Sequence, residues 1–135
     1  MGLQAFAIRG LDDLDAVFAQ ASKSHAQAMV ILSSPLVSRY GARLANLAAR
    51  RHLPTVSMFR ENVVAGCLMA YGPSLLDGWR SLGSFAGRIL KGTLPAELPI
   101  EGPTRFKLVI NLKTARAFGL TIPPSLLQRA DQVIE

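Results

Sequence analysis

Apolar residues recur along this chain in two alternating rhythms, one of period two and one of period 3.6, and the switches between them mark out its elements. From Leu3 to Arg9 the run Leu-Gln-Ala-Phe-Ala-Ile-Arg alternates as a strand does, and Gly10 ends it. A helix follows, with Asp12, Asp13 and Asp15 in its first turn, where carboxylates complement the positive end of the helix dipole. Leu11, Leu14, Val17, Phe18 and Ala21 recur at helical spacing and predict one apolar face packed on a sheet. Ala28 to Leu32 is then a short, wholly apolar run, the pattern of a strand covered on both sides.

The next elements repeat this order. Ser33-Ser34-Pro35 opens a second helix, with a serine as cap and proline in the first turn, where its missing donor costs nothing. This helix runs to about Arg51 and turns Leu36, Tyr40, Leu44, Leu47 and Ala48 inward. Pro54 to Met58 reads as a third strand, Arg60 to Ala65 as a brief helix, and Gly66 to Tyr71 as a fourth strand. Gly72-Pro73-Ser74 starts the longest helix, whose apolar stripe is Leu75, Trp79, Leu82, Ala86, Ile89 and Leu90 and whose natural stop is Gly92. Alternation of strand and helix predicts an α/β fold, a three-layer α/β/α, Rossmann-like parallel sheet built from right-handed βαβ units. The expected division is a lobe over 1–92, a Pro/Gly-rich crossover over 93–105 with Pro95, Pro99, Gly102 and Pro103, and a strand-helix segment over 106–135. That last segment comprises a strand from Phe106 to Leu112, a short helix from Lys113 to Phe118 ended by Gly119, and a final helical turn or two from Pro123-Pro124.

Composition narrows the function classes. In 135 residues, 50% are hydrophobic and 18% charged, slightly apolar for a free-standing domain, which points to an uncovered face. The net charge of +6 is spread over helix faces without interleaved aromatic residues, so no nucleic-acid platform is expected. The longest uncharged stretches, Ser24 to Ser38 and Asn62 to Leu76, are shorter than the ~20 apolar residues of a spanning helix and are broken by Gly or Pro. Cys67 is alone in an apolar run and reads as a buried thiol. His25 and His52 fall near helix ends, and neither a Ser-His device nor a metal-ligand spacing exists, so no catalytic residue, metal or cofactor is expected.

In an open parallel sheet, ligands bind beyond the carboxyl ends of the strands. Three loops fall there: Ser33-Ser34-Pro35, with hydroxyls and helix-end donors; Phe59-Arg60-Glu61-Asn62, with a guanidinium and a carboxylate; and Tyr71-Gly72-Pro73-Ser74, with an aromatic ring beside an open glycine. The candidate ligand-binding residues are therefore Ser33, Ser34, Phe59, Arg60, Glu61, Tyr71, Gly72 and Ser74. Together these groups suit a small zwitterion such as an amino acid, its carboxylate at a helix N-terminus and its ammonium at Glu61. Taken singly, a serine before a proline at a helix start reads as a cap, Tyr71 and Phe59 as core, and Arg60 with Glu61 as a surface pair.

The stretch Phe106-Lys-Leu-Val-Ile-Asn-Leu-Lys-Thr-Ala-Arg-Ala-Phe-Gly-Leu-Thr-Ile-Pro-Pro-Ser-Leu-Leu-Gln-Arg-Ala-Asp131 closely resembles the C-terminal signature of one family of bacterial ABC-transporter substrate-binding proteins. The resemblance extends back through Arg88 to Pro99 and Met69 to Asp77 and covers nearly the whole chain. It implies one lobe of a periplasmic-binding-protein-like fold, a small-molecule solute trapped between two lobes, and an ABC permease as partner. It also implies a periplasmic location, although the segment from Met1-Gly2 carries no leader pattern, so the polypeptide as it stands is expected in the cytoplasm. Ile110-Asn-Leu-Lys-Thr-Ala115 is expected to pack on the other lobe. The alternatives are a cytoplasmic effector-binding module and a truncated product that persists as a homodimer by covering its exposed apolar edge.

Overall fold

The computed structural model describes residues 2–135. Its elements are α1 (Asp13–Lys23), β1 (Met29–Ile31), α2 (Pro35–Arg50), β2 (Thr55–Ser57), α3 (Arg60–Val64), β3 (Met69–Pro73), α4 (Leu75–Leu90), a 3-10 turn (Pro95–Glu97), β4 (Phe106–Asn111), α5 (Leu112–Ala117), α6 (Pro124–Leu127) and β5 (Gln132–Ile134). The five strands form one sheet in the order β1-β2-β3-β4-β5. β1, β2 and β3 run parallel, β4 runs antiparallel to β3, and β5 runs parallel to β4. The fold is thus α/β with a mostly parallel sheet, and the direction reverses once.

Register explains where the core sits. Ile31, Ser57, Ala70 and Val109 lie side by side across four strands and are all buried. Onto this face pack α1 and α2, through Leu14, Phe18, Ala21, Leu44 and Ala48, and α3, through Val63. Burying a leucine- or phenylalanine-sized side chain contributes about 1.5–3 kcal/mol. α2 bends at Tyr40, whose φ of −115° and ψ of 22° interrupt the helix. An exposed ion pair, Arg43 to Asp15 at 2.8 Å, links α2 to α1 and contributes little by itself. Cys67 is buried in the same cluster beside Thr55. Burial raises the pKa of its thiol, and the Thr55 hydroxyl offsets part of that rise.

The opposite face of the sheet is bare at its β1 end. Val30, in β1, is 65% exposed, and Leu32, just beyond it, is 73% exposed. The apolar run from Ala28 to Leu32 is therefore covered on one side only. Ile110, buried in β4, is the exception on that face.

Several expected elements shift. Residues 2–9 form no strand: Phe6 and Ile8 are turned to the core, but the segment has no paired neighbour. β3 reaches Pro73, so Gly72 and Pro73 belong to a strand rather than to the start of α4. β5 was not anticipated, since three residues are too few for a periodic signal. Ile110, Asn111 and Ala115, expected to pack against another lobe, are buried within this one. The chain reverses at β4 because β3 and β4 are joined from the same end of the sheet, which needs no crossover.

That reversal sets α4 apart. A helix between parallel strands must cross the sheet face and pack there, whereas the connection from β3 to β4 leaves and returns at one edge. None of the residues of α4 is buried, and its apolar stripe of Leu75, Trp79, Leu82, Ile89 and Leu90 is exposed. His25 and His52 close α1 and α2 in the left-handed region, with φ of 56° and 49°.

One glycine is required by close approach. A Cβ on Gly72 would lie 2.2 Å from the backbone oxygen of Met58, whereas one on Gly78 in α4 would meet nothing within 4 Å. Opposite outcomes are expected: Gly72→Ala should lower stability by about 1–3 kcal/mol or more through overpacking, and Gly78→Ala should raise it by about 0.5–1 kcal/mol through helix propensity. Urea unfolding midpoints of the two variants check this, and a neutral Gly72→Ala would contradict the contact.

Candidate functional site

The carboxyl ends of β1, β2 and β3 lie at one edge of the sheet because the three strands are parallel and in register. The contact of Gly72 with the Met58 carbonyl closes the gap between the ends of β2 and β3. One residue beyond the pairs Ile31 to Ser57 and Ser57 to Ala70 come Leu32, Met58 and Tyr71, at one level on the uncovered face. All three are exposed, and Tyr71 keeps 62% of its surface in solvent. Its ring stacks on Phe106 of β4, with centroids 5.8 Å apart and planes 28° apart. An aromatic pair flanked by two aliphatic side chains thus forms an open ledge.

Of the residues singled out from sequence, two are helix caps. Ser34 accepts from the Val37 N–H at 3.2 Å at the start of α2, and Ser74 accepts from the Asp77 N–H at 3.3 Å at the start of α4. Each satisfies one of the donors a helix start leaves free. Ser33, before the α2 cap, is exposed. Phe59 is half-buried ahead of α3, and its carbonyl accepts from the Ser57 hydroxyl at 3.2 Å and from the Asn62 N–H at 3.1 Å. The Arg60 Nε–H donates at 2.7 Å to Oε1 of Gln132 in β5, which lies in the row of Ile31, Ser57, Ala70 and Val109. Glu61 is exposed in the first turn of α3. Gly72 is buried and paired opposite Lys107.

The sequence reading missed Leu32, Met58 and Phe106. Leu32 and Met58 end apolar strand runs and looked like ordinary core; Phe106 comes to Tyr71 only through the antiparallel pairing of β3 and β4, which places it beside Pro73. Two surface grooves lie elsewhere. One, between α1 and α2, is lined by Asp15, Arg43, Asn46, Leu47 and Arg50; the other borders Arg9, Asp13 and Gln20.

Behind the ledge, Asn111 ties the reversed strand to the parallel half. Its Nδ2 donates to the Val63 carbonyl at 3.1 Å, and its Oδ1 accepts from the Thr114 N–H at 2.9 Å, capping α5. The Thr114 hydroxyl donates to the Gly66 carbonyl at 3.1 Å. The motif around Asn111 therefore ties elements together inside this lobe.

The whole arrangement has counterparts. A family model described as ABC transporter substrate binding protein matches residues 1–134. Among solved structures, the ABC domain from Streptococcus pneumonia in complex with L-Trp superposes with a TM-score of 0.89 at 24% identity, over 97% of this chain and 44% of its own. A conserved domain protein from Vibrio cholerae gives 0.83 at 20% identity over 90% of this chain and 41% of its own. A ligand-free, open substrate binding protein with adhesive properties from Clostridium difficile gives 0.64 at 16% identity, over 94% and 42%. The chain therefore spans less than half the length of each. No curated relative matches the sequence.

Replacing Asn111 with alanine uncaps the Thr114 N–H at the start of α5 and takes one of two donors from the Val63 carbonyl, which keeps the Gly66 N–H at 3.0 Å; the loss of the cap costs about 0.5–2 kcal/mol. Asn111→Ala should accordingly lower the unfolding free energy by that amount and move the urea midpoint down; an unchanged midpoint would show that the tie is dispensable.

Proposed function

Since this chain belongs to the family of ABC transporter substrate-binding proteins, we propose that it forms one lobe of a two-lobed solute trap, and that a small organic solute of the amino-acid class is held between its strand-end ledge and the other lobe. The observation that carries this reading is the placement of the exposed Tyr71–Phe106 pair, with Leu32 and Met58, on the same edge from which α4 projects. A flat aromatic pair offers a face for an apolar or aromatic side chain. The start of α2, ahead of the bend at Tyr40, leaves the Leu36 N–H free of an intrahelical partner for a carboxylate beside Ser33. Glu61, exposed near that edge, suits an ammonium group. In this reading Ser34, Ser74 and Gly72 shape the edge, and Arg60 braces α3 against β5.

Two further facts support it. Relatives of the same fold are more than twice as long, as a second lobe requires, and one of them is described as bound to L-Trp. The apolar stripe of α4 gives the opposing lobe a surface to grip, so that closure about the connecting segments brings the two sides of the cleft together. The loaded protein then presents itself to a membrane permease from the periplasm, and the task is binding rather than catalysis.

Calorimetric titration of the two-lobed protein with free amino acids should detect micromolar binding of at least one apolar or aromatic member. Tyr71→Ala should weaken that binding about tenfold or more, a change of about 1.4 kcal/mol. An affinity unaffected by Tyr71→Ala, or micromolar binding by residues 1–135 alone, would overturn the reading.

The bare stripe of α4 also favours a second reading for the chain standing by itself: a homodimer that buries Trp79, Leu82 and Leu90 against a second copy. Light scattering should give twice the monomer mass, falling to the monomer for Trp79→Glu combined with Leu82→Glu. A monomeric mass for the unaltered chain would remove this reading.

A further inference from the structure

Three unpartnered features meet on the β1 side of the sheet. Among the described residues, no backbone group of residues 2–8 takes part in a hydrogen bond; the first engaged is the Arg9 N–H, which donates to Asp13 Oδ2 at 2.8 Å. Yet the burial of this segment alternates, with Phe6 and Ile8 half-buried on the cluster that contains Leu14, Phe18 and Ile31 while Ala5, Ala7 and Arg9 are exposed. Second, β1 is an edge strand. The Met29 N–H donates to the Pro54 carbonyl at 2.9 Å, so by strand alternation the N–H and C=O of Val30 face the free side. Third, Val30 and Leu32 lie bare on the face opposite the helices.

Residues 3–9, α1 and β1 follow one another as an unpaired segment of strand-like alternation, a helix and a strand, the order of a unit whose outer members run parallel. Two adjacent parallel strands would exchange backbone bonds directly, and these two share a core without doing so. We propose that they are the two walls of a slot, and that its occupant is one further apolar β-strand, parallel to both, supplied by polypeptide outside residues 1–135 together with a helix that covers Val30 and Leu32. The strand satisfies the free edge of β1 on one side and the backbone of residues 3–9 on the other. Its side chains extend the row of Ile31 on one face and of Val30 on the other, which calls for β-branched residues on both. Relatives of this fold leave more than half of their length unmatched by this chain, ample for one strand and one helix. The slot is separate from the solute ledge, and its occupancy is independent of which solute binds.

Amide hydrogen exchange on this chain tests the slot, with a seven-residue Val/Ile-rich peptide carrying one lysine at each end as the probe. In the free chain the amides of residues 3–8 and of Val30 should exchange freely; saturating peptide should slow both groups together, by tenfold or more. Protection of Val30 without residues 3–8 would mean simple edge addition and overturn the slot, as would no protection of either. Protection already present without peptide and growing with protein concentration would assign the place to a second copy and also overturn the proposal. Val30→Pro removes the free-edge donor while sparing the bonds of β1 to β2, and should abolish the peptide effect at both sites; persistence of protection at residues 3–8 in that variant would contradict the two-walled geometry. Exchange in the unaltered chain decides the matter on its own if Val30→Pro does not fold.

Discussion

Five residue pairs, from Met69 opposite Ile110 to Pro73 opposite Phe106, join β3 to β4 in opposite directions, and the positions of α4, the ledge and the C-terminal elements follow from that reversal. Entering the sheet from the edge that β3 leaves, the chain has no need to carry α4 across a face. The helix is free to stand clear of the core. The same pairing brings Phe106 beside Tyr71 and so builds the aromatic part of the ledge. It also lets β5 add on parallel to β4, with Arg60 reaching across to Gln132 to fasten the extension to α3.

The local chemistry of the chain was legible because it is dictated by near neighbours. Leu14, Phe18, Leu44 and Ala48 announce their buried faces by spacing, and Ser34 and Ser74 announce helix starts by standing before apolar periodic runs. What could not be read is non-local. Nothing in Phe106 to Asn111 states which way that strand runs, and the stripe of α4 looks the same whether it meets its own sheet or another polypeptide. The alternation from Leu3 to Arg9 is honest about side chains, since Phe6 and Ile8 do face the core, yet silent about hydrogen bonds, which need a second strand at the right place.

The candidate site divides along the same line. Convergence of three strand ends was inferable from a parallel βαβ order, and the structure brings those ends together. The division of labour among their residues was not. Ser34 and Ser74 work as caps, Gly72 is a point of backbone contact, and Arg60 is engaged by Gln132, whereas exposed Leu32, Met58 and Tyr71 share one surface. Strand ends of apolar sequence look like core until the covering layer is seen to be missing.

The position of Trp79 has a practical side. It is the only tryptophan in the chain and stands 68% exposed on the stripe of α4. Its indole emission is accordingly a native optical gauge of that helix: long-wavelength while water surrounds the ring, and moved to shorter wavelength once any protein surface closes over it. Engagement of α4 can thus be followed in real time with no dye attached.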